Sequence, residues 1–292
     1  MLSSPLYESD DRGCAGSKYL QGPSGPGELV AQEEREDVPV LVRDEGRVRW
    51  VVLDRPRRHN AIDLPTARAW ERALADASAD PTVRAVVMAG NGPSFCAGGD
   101  LKAFQAAEDR VAYVNDVASA IGRGVGHITS MPKAVVSAVH GNAMGVGFTL
   151  FLGTDVKMAA EGTRMAMSYI NVGLTPGGGG TWLLSRIVGL SRAMEMMLLG
   201  DPITAEMALE MGIVNRVVPR EELEGTAQGM AERLAGQAPG ALARTKELMW
   251  SAHTVPIMSH LSLEAETIGR MAGGPEFEEG AMAFFERRRP GF

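Results

Sequence analysis

Two short glycine-bearing segments combine residue types and spacing that can do chemistry. They are Phe95-Cys96-Ala97-Gly98-Gly99-Asp100-Leu101 and His140-Gly141-Asn142-Ala143-Met144-Gly145-Val146-Gly147. Each follows an apolar, strand-like run and leads towards a helix, so each can aim backbone N–H groups at one point. Two such donors meeting at a thioester carbonyl form an oxyanion hole, which stabilises the negative charge that develops on that oxygen. The pattern points to an enzyme acting on an acyl thioester. Nucleotide readings of the glycines are weaker. Gly145-Val146-Gly147 lacks the third glycine and the later acidic residue of a dinucleotide-binding turn. The run Gly177 to Gly180 leads into Thr181-Trp182, without the lysine of a phosphate-binding loop.

The elements that must carry these loops are legible along the chain. Residues 1–36 are rich in Gly, Pro, Ser and acids and hold too little apolar side chain to offset ordering entropy, so they are expected to be a flexible extension. Order is expected from Val38. The run Val38 to Val42 and its partner Arg47 to Leu53 predict a hairpin turning at Asp44-Glu45-Gly46. Leu64 to Ala77 predicts a helix, with Asp63 as N-cap and Pro65 in the first turn. Arg84 to Ala89 and Pro132 to Val139 read as buried strands feeding the two glycine loops, with a helix over 111–130 between them. Gly147 to Leu152 begins a helix, Asp155 to Ala159 is a strand, and Ile213 to Val218 is a last strand. Helices are expected from Gly180, over 191–199, over 204–211 and from Glu221 onwards. Repeated strand–strand–helix units give an α/β core over 37–220 and a helical C-terminal region over 221–292.

Composition bounds the function. A formal net charge of −7 argues against nonspecific binding to nucleic acid or an anionic membrane. The two cysteines, Cys14 and Cys96, have neither a disulfide framework nor a metal-ligand spacing, which favours a reducing cytoplasm. No apolar run reaches the ~18 residues of a membrane span. The N-terminus shows no basic-then-apolar signal pattern.

In this order, the motifs resemble the crotonase superfamily, the enoyl-CoA hydratase/isomerase family. The matching residues begin at Leu53-Asp54-Arg55-Pro56 with Asn60-Ala61 and continue through both glycine loops. They include Gly173-Leu174-Thr175-Pro176-Gly177-Gly178-Gly179-Gly180-Thr181 and Ala208-Leu209-Glu210-Met211-Gly212-Ile213-Val214-Asn215. They end at Phe284-Phe285-Glu286-Arg287-Arg288-Arg289-Pro290. The resemblance implies a crotonase-like spiral of ββα units, a helical C-terminal trimerisation region and an acyl-CoA ligand, with CoA as part of the substrate and no separate cofactor. It also implies a homotrimer or a dimer of trimers. Its oxyanion donors fall on the Gly99 and Val146 amides. Its ligand contacts fall near Ala61, Ala97 and Leu101, and Arg57, Arg58 and Lys102 flank the expected entry, where they either meet phosphates or merely solvate a loop.

The catalytic pattern departs from that family. Hydratases of this type use two carboxylates, one positioning water and one exchanging a proton. Aligning through the glycine motifs puts Thr149 and Tyr169 at those positions, and Gly177 where some isomerases carry an aspartate. Ordinary two-glutamate hydration is therefore not expected. Tyr169 is either a packed aromatic or a proton donor, since an unperturbed phenol near pKa ~10 is a poor base but an adequate donor. Enolates formed by loss of CO2 need only the oxyanion hole and such a donor. Thr149 is a second candidate. Glu108, Asp109, Asn115 and Asp116 lie where a replacement acid would arise, although acids on such helices usually face water. Met144, Phe148, Met165, Met167 and Trp182 are either pocket walls or core. His140 is expected to be structural, and Cys96 to be a buried, inert thiol.

Overall fold

The computed structural model describes residues 38–292. The chain opens with an antiparallel hairpin, β1 (Val40–Glu45) and β2 (Val48–Leu53). Helix α1 (Leu64–Ala79) crosses to β3 (Ala85–Gly90), and helices α2 (Leu101–Ala106) and α3 (Arg110–Ser130) cross to β4 (Ala134–Val139). A short strand β5 (Asn142–Met144) and helix α4 (Val146–Leu152) lead to β6 (Val156–Ala160) and β7 (Arg164–Ala166). Beyond them lie α5 (Gly180–Val188), α6 (Leu190–Leu199), β8 (Ile203–Thr204), α7 (Ala205–Glu210) and β9 (Arg216–Val218). Four helices close the chain: α8 (Leu223–Ala235), α9 (Pro239–Ser251), α10 (Ile257–Ala272) and α11 (Pro275–Phe285).

The main sheet has the order β1-β2-β3-β4-β6-β9, and every pairing after the hairpin is parallel. Parallel neighbours need long crossovers, and α1 and the α2–α3 pair supply them. Strands β3 and β4 are buried along their whole length, which is why they read as continuous apolar runs rather than alternating ones. Helices α1 and α3 cover one face, where Trp70 fills the space opposite Gly124: a Cβ on that glycine would sit 2.1 Å from the indole. Helix α8 covers the other face with Leu223, Ala227, Ala231 and Ala235, a stripe at helical spacing against Trp50, Val87 and Val136. The helical segment from residue 221 is thus continuous with the core through α8, and only α9 to α11 lie beyond it.

Several sequence expectations shift. The first strand starts at Val40 and runs through Asp44 and Glu45, so the turn centres on Gly46 (φ +62°). The last strand is only Arg216–Val218. Ile213 and Val214 are buried but turn back, their amides donating to Ala208 O at 2.8 and 3.2 Å, so the apolar run marks burial rather than pairing. The helical stretch from Glu221 is divided at Pro239, which starts α9 because its fixed φ suits a first turn. A second, three-stranded sheet, β5-β7-β8, was not foreseen. The expected extension over 1–36 lies outside the described residues.

Candidate active site

Both glycine loops leave the same end of the parallel pair β3–β4 and are stitched together by backbone. Phe95 N–H donates to His140 O at 2.8 Å, Cys96 N–H to Asn142 O at 3.0 Å, and Met144 N–H to Cys96 O at 2.9 Å. This short ladder fixes the loops side by side. Glycine is needed where they touch: a Cβ at Gly147 would lie 2.3 Å from Cys96 O. At Gly145, φ 52° and ψ −118° suit only glycine, and this residue turns the chain so that α4 starts at Val146. Val146 N–H is one of the orphan donors of a helix start. Neither it nor Gly99 N–H donates a hydrogen bond within the protein among the described residues.

Gly99 and Val146 line one cavity of about 590 Å³. Its other walls come from Ala97 and Leu101, from one face of α3, from Ser168 and Tyr169, and from the Leu174–Gly178 loop. Among the described residues no carboxylate side chain lines it, and the only charged lining residue is Arg110. Two of the acids foreseen as replacements have other partners, and Glu108 does not line the cavity. Asp109 caps α3 by accepting from Ala112 N–H at 2.9 Å, and Asp116 pairs with Arg68 at 3.2 Å. Of that group only Asn115 reaches the cavity.

Tyr169 and Thr149 meet, although twenty residues separate them. Thr149 Oγ1 lies 3.0 Å from Tyr169 Oη. Thr149 is fully buried on α4 behind the tyrosine and does not line the cavity, so it supports Tyr169 rather than facing a ligand. Burial pushes the Tyr169 phenol up to about 12, against the opposing pull of Thr149 and the Gly177 backbone. The group is therefore protonated throughout the neutral range, which makes it a donor and rules it out as a base.

The rim is held by a second set of bonds. Ile62 N–H donates to Gly98 O at 2.8 Å and Asp100 N–H to Ile62 O at 2.8 Å, while Ala97 N–H donates to His59 O at 2.9 Å. Arg55 bridges the same two segments, pairing with Asp63 at 2.9 Å and Asp100 at 3.2 Å and donating to Ala61 O. Asn60, fully buried, donates to Asn91 O and Ser94 O. Ala97 and Leu101 line the cavity; Arg57, Arg58, Ala61 and Lys102 do not. Arg57 and Arg58 are exposed on a 3₁₀ turn tied to that rim, and Lys102 is exposed in the first turn of α2.

Other candidates resolve as structure. Phe148, Met165 and Met167 are fully buried core residues. Trp182 stacks on Trp250 with ring centroids 6.0 Å apart and stays off the cavity. His140 Nε2 lies 2.9 Å from Gly92 O, and burial lowers its pKa. Burial raises the Cys96 thiol to about 12, leaving it inert. The cavity face of α3, in the segment where a replacement acid was sought, supplies wall residues that the sequence did not name. Val111, Val114 and Ala118 carry it, at spacings that also fit a core-facing stripe.

The fold and these loops define the class. The chain matches the family model described as enoyl-CoA hydratase/isomerase over residues 43–292, and it belongs to that family. It is 36% identical over 87% of its length to the 1,2-epoxyphenylacetyl-CoA isomerase of Escherichia coli (strain K12), covering 97% of that protein. It is 31% identical over 87% of its length to the trans-2-decenoyl-[acyl-carrier-protein] isomerase of Streptococcus mutans, covering 97% of it. Its fold superposes on an enoyl-CoA hydratase crystal structure from Polaromonas sp. JS666 with a TM-score of 0.81 at 33% identity, over 86% of this chain and 98% of that one. Among the described residues no helix is long and apolar enough to cross a membrane.

Proposed function

We propose that the protein transforms acyl-CoA thioesters through an enolate held by the Gly99 and Val146 amides, with Tyr169 as proton donor and Thr149 as its support. The observation that carries this reading is the pairing of two unbonded backbone donors on a cavity wall that has no carboxylate. In the productive arrangement Thr149 Oγ1 donates to Tyr169 Oη, which turns the phenolic proton towards the substrate. Chemistry that forms the enolate without a base suits this donor set best. In loss of CO2, for example, the Cα–carboxyl bond breaks, its electron pair passes into the thioester, and charge collects on the oxygen between the two amides. Tyr169 then gives its proton to the α-carbon and recovers one from water. Isomerase or other lyase chemistry uses the same oxyanion. Arg57, Arg58 and Lys102 would meet the CoA phosphates, and Ala61, Ala97 and Leu101 its adenine end. The protein would act in the cytoplasm as a homotrimer or a dimer of trimers.

The relatives' names favour a second reading, a plain isomerase or hydratase. Turnover by the purified protein on enoyl-, malonyl- and β-keto-CoA separates them, alongside a Val146→Pro variant. Proline is tolerated at a first helical position, so this change deletes one donor while keeping the fold. Turnover on malonyl- or β-keto-CoA that drops about 10²- to 10³-fold in the variant supports the proposal. Fast crotonyl-CoA hydration would show the plain hydratase. Binding of every thioester without turnover would show a ligand-binding scaffold.

A further inference from the structure

We propose that Arg110 reads a negative charge at the far end of the acyl chain, so that the preferred thioesters carry a terminal carboxylate. This rests on the reading of the cavity as the thioester site and adds a substrate class to it. Arg110 is the single charged side chain among the lining residues, and among the described residues it has no ion-pair or hydrogen-bond partner. Of the nearby acids, Asp109 is spent on the helix cap and Asp116 on Arg68, and Glu108 forms no ion pair with it.

Its distance from the reacting centre follows from α3. Ala118 marks the level of the chemistry: its Cβ lies 3.7 Å from a Cβ placed on Gly177, and the Gly177 backbone interacts with the Tyr169 hydroxyl. Arg110 lies eight positions earlier, roughly 12 Å along a helix that rises about 1.5 Å per residue. A short dicarboxylic acyl chain covers that span where the arginine side chain turns back along α3, against the usual N-terminal lean of helical side chains. The wall between is apolar, formed by Val111, Val114 and Leu174, as the methylenes of such a chain require. An aliphatic tail would only strip water from the guanidinium, whereas a carboxylate can pair with it in a two-pronged fashion. The CoA phosphates are a poorer match for this position. Arg57, Arg58 and Lys102 do not line the cavity, whereas Arg110, exposed at the start of α3, is one of its lining residues.

Calorimetric titration of the purified protein with adipoyl-CoA, its methyl-terminated counterpart hexanoyl-CoA, and CoA alone tests this without requiring turnover. The expected result is tighter binding of adipoyl-CoA than of hexanoyl-CoA, lost in Arg110→Ala by about tenfold or more, with hexanoyl-CoA and CoA unchanged. Arg110→Lys should recover part of the preference, and Arg110→Glu should invert it. Equal weakening of all three ligands by Arg110→Ala would place the arginine on the CoA moiety and overturn the inference. Equal binding of the two acyl-CoAs by the unmodified protein would overturn it as well. Failure of all three ligands to bind would instead remove the thioester reading beneath it.

Discussion

At the scale of single residues the site turns on protons that solvent does not take at neutral pH. Tyr169 sits on a cavity wall with its hydroxyl against Thr149, and burial raises it to about 12. Tyr169→Phe should therefore lower kcat by about 10²-fold or more while leaving affinity for CoA thioesters nearly unchanged. An unchanged kcat in a steady-state assay would return the residue to packing. Thr149→Val should give a smaller loss, because it removes only the support. The same burial has a stability consequence at high pH. The ordinary values are 9.0 for Cys96 and 10.0 for Tyr169, and both rise to about 12 in the folded protein. Below pH ~9 the two groups are protonated whether or not the chain is folded, so they impose no penalty. As pH climbs towards 12 the unfolded chain releases these protons first, and stability falls by up to ~1.4 kcal/mol per pH unit per group. Burial lowers Lys157 to about 8, which works in the opposite sense over part of this range, so the contribution is read as a difference: between pH 9 and 11 the wild type should lose more stability per pH unit than Cys96→Ala in denaturant titrations. A slope unaffected by Cys96→Ala would mean that the thiol ionises freely.

At the scale of elements, the glycine loops were legible because backbone geometry limits which residues can occupy them. Gly145 needs its positive φ, and Gly147 leaves no room for a Cβ, so the sequence carries the constraint openly. The hidden features have a physical reason too. Strands β5, β7 and β8 are two or three residues long, too short for an alternating pattern to emerge. Helix α3 is apolar on a face that meets α1 and on a face that lines the cavity, and periodicity does not distinguish a core partner from a ligand. Arg55 stood in a recognised motif, yet its partners Asp63 and Asp100 come from different loops, and such long-range pairing leaves no spacing signal. Arg55→Leu should therefore lower both thermal stability and kcat/KM, since it leaves two half-buried carboxylates without their cation and loosens the segment carrying Gly99. A second clamp ties α9 to the sheet. Lys246 Nζ lies 2.7 Å from Asp155 and 3.0 Å from Lys133 O, while Asp155 also accepts from Val135 N–H at 2.8 Å. Burial raises Asp155, and the Lys246 charge pulls it back down. Lys246→Met should cost about 3 kcal/mol because it strands a buried carboxylate, and Lys246→Met/Asp155→Asn should regain part of the loss. Losses of Lys246→Met and Asp155→Asn that simply add in the double variant, measured by chemical denaturation, would show that the pair is not coupled.

At the scale of the whole molecule, the surface of the C-terminal helices does not suit a lone chain in water. Ile257 and Met258 on α10 are 67% and 72% exposed, and Phe284 and Phe285 at the end of α11 are 78% and 81% exposed. Phe284 and Phe285 lie together, ring centroids 5.7 Å apart, and contiguous exposed apolar side chains usually mark a surface that another protein covers. Self-association would cover the phenylalanines. Sedimentation equilibrium at micromolar concentration should give three or six times the mass of one chain. Phe284→Ser/Phe285→Ser should shift the population towards smaller species while leaving the far-ultraviolet circular dichroism intact, because neither ring supports the core. A wild-type chain that sediments as a monomer would overturn the assembly and leave those aromatic residues exposed for some other partner.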